Sequence, residues 1–159
     1  MASGDERATT PDGLDGAGLR VAIVRARWNT TIVERLAGGV QRGLADLGVT
    51  DITEVPVPGC LEIPLAAKAI AESGRIDAVV CIGAVIRGET THYELVSEGA
   101  AEGVLRAQLD TGVPIAFGLV TVENDEQALV RSEGPGGHNV GEEAALVAVE
   151  MTRLVQAWR

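Results

Sequence analysis

The chain has 159 residues, enough for one domain with a substantial buried core. Its net charge of -10 works against nonspecific nucleic-acid binding, which relies on Lys and Arg to neutralise phosphates, and against docking on an anionic membrane surface. An anionic ligand must therefore be held locally, by backbone amides and a few chosen arginines.

The 13 basic residues are twelve arginines and one lysine, Lys68, so Schiff-base chemistry has a single candidate, lying mid-helix in its pattern with no evident partner. Aromatic residues make up only 3% of the chain, which gives weight to the positions of Trp28, Tyr93, Phe117 and Trp158. Cys60 and Cys81 are too few and too widely spaced for a disulfide framework or a metal site. There is no run of eighteen apolar residues, and the N-terminal stretch lacks the apolar segment of a signal peptide. A reduced, cytoplasmic location is the expectation.

In chain order, residues 1–18 are polar and read as a flexible arm ahead of one α/β domain over 19–159. Leu19 to Arg25 is β-branched and apolar, a first strand. After Trp28, with Asn29 or Thr30 as N-cap, Ile32, Val33, Leu36, Val40, Leu44 and Leu47 recur at helical spacing up to Gly48. Gly38, Gly39 and Gly43 in that helix follow no strand, so close helix packing suits them better than a phosphate loop. Ile52 to Val57 is a second strand, ended by Pro58-Gly59, and an Ala-rich helix runs from Leu65 to Ser73. Asp77 to Ile86 is a third strand that turns at Gly88 and enters a helix at Thr91, which continues to Gly112. Pro114 to Val122 is a fourth strand, Asn124 opens a short helix, and a breaker at Gly134–Gly137 precedes a last amphipathic helix from about Glu142 to Trp158.

Strands alternating with helices in this way argue for a parallel sheet covered on both faces. Ligands of such sheets collect beyond the carboxyl ends of the strands. Four turns meet there: Trp28-Asn29, Pro58 to Glu62, Arg87 to His92, and Thr121 to Asn124. They offer an aromatic plate, a carboxylate, a histidine able to move a proton near neutral pH, and a glycine turn ahead of a helix N-terminus suited to an anion. Each also has an ordinary reading. Trp28 suits a hydrophobic staple, Glu62 an acidic first turn, Phe117 a strand core, and Arg87 and Arg131 surface ion pairs. Thr91 with Glu94 suits a capping box that leaves His92 on the surface.

Three blocks then carry a resemblance: Pro58-Gly59-Cys60-Leu61-Glu62-Ile63-Pro64, the run from Gly83 to Tyr93, and the run from Gly118 to Ala128. In this order they resemble the lumazine synthase family, with similarity from about Leu19 to the C-terminus. The resemblance implies a flavodoxin-like three-layer α/β/α sandwich with a four-stranded parallel sheet in the order 2-1-3-4. It implies condensation of 5-amino-6-ribitylaminouracil with 3,4-dihydroxy-2-butanone 4-phosphate to 6,7-dimethyl-8-ribityllumazine in riboflavin biosynthesis, with no metal and no organic cofactor. Carried over by position, Trp28 would stack on the pyrimidine with Asn29 beside it. Cys60, Leu61, Glu62, Ala84, Val85 and Ile86 would line the pocket. Gly88, Glu89 and Thr90 would hold the phosphate, and His92 would transfer protons. Phe117 and Arg131 match positions given by an adjacent subunit, the arginine pairing with phosphate. A homopentamer is implied, or a 60-subunit shell, and the N-terminal arm would add a strand to a neighbour's sheet.

One departure stands out: where the family usually has Asn-Lys-Gly before the last helix, this chain has Asn139-Val140-Gly141. Arg131 would then be the main side-chain cation for phosphate, with weakened affinity or with His138 as a partial substitute. Two rivals arise from the same resemblance, an archaeal-type riboflavin synthase and a non-catalytic lumazine- or flavin-binding shell protein.

Overall fold

Four runs rich in β-branched residues form the sheet: β1 (Arg20–Ala26), β2 (Asp51–Val57), β3 (Ala78–Ile86) and β4 (Ile115–Val122). In the computed structural model, which describes residues 9–159, they pair only in parallel, in the order β2-β1-β3-β4. The crossovers are α1 (Thr30–Asp46), α2 (Ile63–Glu72) and α3 (His92–Thr111), and β4 is followed by the short α4 (Asp125–Leu129) and by α5 (Val140–Ala157). A parallel sheet needs cover on both faces, and the two-residue alternation along β3 shows how it is met. Val80 and Ile82 point into a core with Leu36, Val40, Leu44 and Val149 of α1 and α5. Val79 and Cys81 point the other way, to Ile63, Ala67, Ala100 and Val104 of α2 and α3. The result is the three-layer α/β architecture and strand order that the resemblance implies.

Gly39 and Gly43 serve close packing, whereas a Cβ on Gly38 would meet only Arg42 Nη1 at 3.5 Å. At Gly43 a Cβ would come within 2.9 Å of Ala145 Cβ and 3.0 Å of the Glu142 carbonyl, so α1 and α5 approach backbone to backbone. Some boundaries move for local reasons. The last helix begins at Val140, before the expected Glu142, because the Asn139 side chain accepts from Glu142 N and caps it there. Cys60–Glu62 form one turn of 3₁₀ helix ahead of α2. The Thr91–Glu94 capping box does not form: Thr91 makes no side-chain cap bond, and Glu94 turns to Arg87 instead. Residues 1–8 of the expected arm lie outside the described residues. Beyond them, Gly16 N donates to Leu47 O at 2.7 Å, and the Arg153 guanidinium donates to the Asp15 and Ala17 carbonyls at 2.8 Å. No helix among the described residues is long and apolar enough to cross a membrane.

At the amino end of the sheet, Asp77 accepts from Arg20 N (2.8 Å), Arg20 Nε (3.1 Å) and Arg20 Nη2 (3.0 Å). These hydrogen bonds hold its carboxyl below the usual range, with burial opposing them in part. A carboxyl depressed in the folded state stabilises fully above its unfolded value of about 3.9 and loses that contribution as pH falls through the folded value. Asp77→Asn should therefore lower the urea midpoint at pH 7, and the gap to the unmodified chain should close as pH is taken below about 3.9. A gap that stays constant down to strong acid contradicts the assignment.

Candidate active site

Parallel pairing brings the four strand ends to one edge. Ala26 pairs with Val57 and Ile86 with Val122, while β1 runs out beside β3 near Gly83. The last residues of β3, Ala84 to Ile86, therefore extend past β1, and the β1–α1 turn folds over them. Asn29 makes that fold. It is the one non-glycine residue with positive φ among the described residues (φ 59°, ψ 50°), and its Nδ2 donates to Ala84 O at 2.9 Å. It occupies the N-cap position of α1, but its side chain is committed across the sheet edge.

The turn leaves Trp28 73% exposed, so its ring is no buried staple. It lies against the β2 turn: a Cβ on Gly59 would sit 3.3 Å from Trp28 Cδ1 and 3.0 Å from Glu62 Oε2. A glycine there lets an indole edge and a carboxylate flank the same backbone without displacing either. Cys60 is buried beneath, its Sγ facing Gly83, where a Cβ would come within 2.7 Å of the sulfur. Burial pushes the Cys60 thiol up to about 11, only partly opposed by a hydrogen bond from Ala84, with the Glu62 charge adding to the rise. It is a neutral wall, not a nucleophile, at neutral pH. Leu61 is exposed, while Ala84 and Val85 are buried and Ile86 half-buried, so β3 presents backbone more than side chain at its end. Ile86 also borders a depression shared with Asn29, Thr31, Asp125 and Leu129.

Between β3 and α3 the residues Gly88 to His92 are all exposed, and a side chain on Gly88 would project into open space. Thr90 Oγ1 accepts from His92 N at 3.3 Å. The amides of Gly88, Glu89, Thr90 and Thr91 donate to no described residue, so four N–H groups are open next to a helix N-terminus. The His92 imidazole makes no hydrogen bond within the described residues. Just before the turn, Arg87 is held by three contacts: Nε donates to Glu123 Oε2 at 2.6 Å, Nη1 pairs with Glu94, and the guanidinium lies 4.2 Å over the Tyr93 ring. These contacts raise the arginine further above its ordinary value, the Glu94 hydrogen bond foremost, and hold the Glu94 carboxyl below its own.

Two expected site residues do not join this edge within one chain. Phe117 is 38% exposed on the outer strand, paired with Cys81 and five residues before the end of β4. That places it roughly 16 Å back along the strand. Arg131 follows α4, and its guanidinium donates to its own Gln127 O at 3.0 Å; no hydrogen bond or ion pair links it to the Gly88 turn. His138, for which the sequence offered no partner, pairs with Glu143 through Nε2 at 3.2 Å. It faces a carboxylate, which counts against a role as substitute cation. Val140 is 7% exposed and packs in the α1–α5 core. Two arrangements escaped sequence reading. The Arg87–Glu94–Glu123 cluster had one available signal, the acidic residues placed seven positions after Arg87 and directly after β4. The left-handed Asn29 had only the tolerance of asparagine for that conformation.

Asn29→Ala should lower stability by about 2 kcal/mol, from a left-handed residue that now carries strain and from the lost Ala84 hydrogen bond. Asn29→Gly should cost less, because glycine keeps the conformation. Urea denaturation of both variants checks this, and the reverse order contradicts it.

Comparison with known proteins extends these observations. Residues 18–156 match the family described as 6,7-dimethyl-8-ribityllumazine synthase. Proteins of that name from Paraburkholderia phytofirmans and Paraburkholderia xenovorans are each 49% identical over 146 residues, covering 91% of this chain and 84% of theirs. One from Kineococcus radiotolerans is 47% identical over 138 residues, covering 86% of this chain and 85% of its own. With the three-layer fold in place and the match running through every strand and helix, the chain belongs to the 6,7-dimethyl-8-ribityllumazine synthase family.

Proposed function

We propose that this chain condenses 5-amino-6-ribitylaminouracil with 3,4-dihydroxy-2-butanone 4-phosphate, releasing phosphate and water and forming 6,7-dimethyl-8-ribityllumazine for riboflavin biosynthesis. The observation that carries the reading is the family match over residues 18–156. The geometry suits it. The exposed Trp28 ring beside Glu62 offers a flat stacking surface next to a carboxylate that can accept from the N–H and hydroxyl groups of a ribitylaminopyrimidine. Asn29 holds that plate, while Cys60, Leu61, Ala84, Val85 and Ile86 form the wall. Gly88, Glu89 and Thr90 carry open amides suited to three phosphate oxygens at a helix N-terminus.

The chemistry asks for little covalent help. The aromatic amine attacks the ketone, phosphate leaves, and the ring closes with loss of water. Holding both reactants in place can contribute about 7 to 11 kcal/mol at the upper end. His92, exposed beside the turn and unengaged, is the group we assign to proton transfer. Phe117 and Arg131 are assigned to the site of an adjacent copy, since within one chain neither joins the edge. The arginine would then meet the phosphate as its side-chain cation. The assembly we propose is a pentamer, alone or as the unit of a larger shell, working in the cytoplasm.

Mixing the two substrates with the purified chain should form 6,7-dimethyl-8-ribityllumazine well above the uncatalysed rate. Tight lumazine binding without rate enhancement would indicate a carrier, and riboflavin from the lumazine alone would indicate a riboflavin synthase. His92→Ala should slow turnover about a hundredfold without abolishing it. Arg131→Glu should be worse, by placing like charge beside the phosphate. Full activity of His92→Ala would remove the proton-transfer role.

Sharing of the site has its own test. When the His92→Ala and Arg131→Glu chains are co-assembled in equal amounts, about a quarter of the sites regain both groups if these come from different copies of a ring. Activity no higher than the mean of the two separate variants would place both groups in one chain.

A further inference from the structure

The turn assigned to the phosphate lies among acids. Glu94 stands in the first turn of α3, Glu123 directly follows β4, and Glu89 belongs to the turn itself. Arg87 N donates to Val122 O at 2.9 Å, so Glu123 begins next to the residue that precedes Gly88. In a chain of net charge -10, two carboxylates at this distance in sequence and space would oppose any dianion approaching the open amides. One cation stands between them. The Arg87 guanidinium serves Glu123 through Nε at 2.6 Å and Glu94 through Nη1, and it lies 4.2 Å over Tyr93. One Glu94 oxygen is thereby paired, and the other is sealed from solvent without a partner. Removing the arginine would leave that carboxylate with no counter-charge beside the turn.

We propose that Arg87 is a positioning residue for phosphate recognition: an internal counter-charge that neutralises Glu94 and Glu123, so that a phosphate meets the Gly88–Thr91 amides rather than two bare carboxylates. The proposal rests on the reading of this turn as the phosphate seat. Two of its three guanidinium nitrogens, Nε and Nη1, go to the two acids, and Arg87 is assigned to them and not to the ligand. An arginine suits the task better than a lysine, since its planar fork serves two carboxylates at once while its face stacks on an aromatic ring. The same contacts tie β3, α3 and the end of β4 together, which keeps the turn in register with its helix.

The test uses the full chain, with inorganic phosphate titrated by calorimetry and with KM measured for each substrate. In Arg87→Gln, phosphate affinity and KM for the phosphate-bearing substrate should each worsen about tenfold, while KM for the pyrimidine stays within about twofold. Arg87→Lys should fall between. The deciding variant is Arg87→Gln with Glu94→Gln and Glu123→Gln, which removes the acids without restoring the brace. Recovery of phosphate affinity to within about threefold of the unmodified chain supports the counter-charge, because a purely structural defect would not be rescued in this way. Phosphate binding unchanged in Arg87→Gln overturns the proposal, as does a triple variant no better than the single one. Should Arg87→Gln fail to fold by circular dichroism, the Glu94→Gln, Glu123→Gln double variant decides instead. With Arg87 released, phosphate should bind about threefold tighter, and unchanged or weaker binding overturns the proposal. An unmodified chain that binds phosphate but forms no lumazine defeats the functional reading and leaves the phosphate comparison intact.

Discussion

The parallel pairing of β3 with its two neighbours is the constraint on which the site depends. β3 is buried along nearly its whole length and has helices on both faces, so its direction and register are set by the two cores at once. Because β1, β2 and β4 run the same way, each must turn at the same edge. Because β3 outruns β1, its last three residues provide a ledge. The Asn29 amide closes the β1–α1 turn onto that ledge, and it does so from a backbone conformation that few residues other than glycine adopt. A cost in local conformation is thus offset by a fixed cross-strand tie in the turn that carries Trp28.

Charge is organised on the same edge with equal economy. The chain is acidic overall, and the open turn is bordered by carboxylates, yet the donors it presents are backbone amides, which carry no net charge and need no counter-ion. The nearest arginine is paired with two acids and stacked on an aromatic face. A ligand is left with a cluster of N–H groups and an unengaged imidazole. The structure places Arg131 and Phe117 elsewhere, one after α4 and one in mid-strand. Arg27, in the β1–α1 turn, is an exposed cation on the same edge, with no side-chain ion pair among the described residues.

Much of this was legible in the sequence. The alternation of strands and helices, the breaker segments and the turn residues located all four strands and the main helices to within a few residues, because two-residue and 3.6-residue periodicities are local properties. The candidate residues of the edge were legible for the same reason: once strands are parallel, the turns at their carboxyl ends must share one side of the sheet. The failures share a different character. Thr91 and Glu94 have capping-box spacing, but Glu94 found a stronger partner in Arg87, a charged hydrogen bond outweighing a cap. His138 had no partner in its own loop because its partner, Glu143, lies on the helix after it. Val140 stands where the family usually has a lysine, and in the fold it packs in the core with α1 and α5, which the sequence did not show.

By itself, then, the sequence determined the class of fold, the edge at which chemistry would gather, and the residue types available there, since these come from periodicity, turn chemistry and the positions of glycine. It also carried the blocks by which the family is recognised. Tertiary structure decided which of those residues converge and which do not. The left-handed turn at Asn29, the glycine seat shared by Trp28 and Glu62, the burial of the Cys60 thiol against Gly83, and the bond from Arg87 to Glu123 all join residues that are remote in the chain. Their energies depend on distance and burial, and neither quantity exists until the strands have paired.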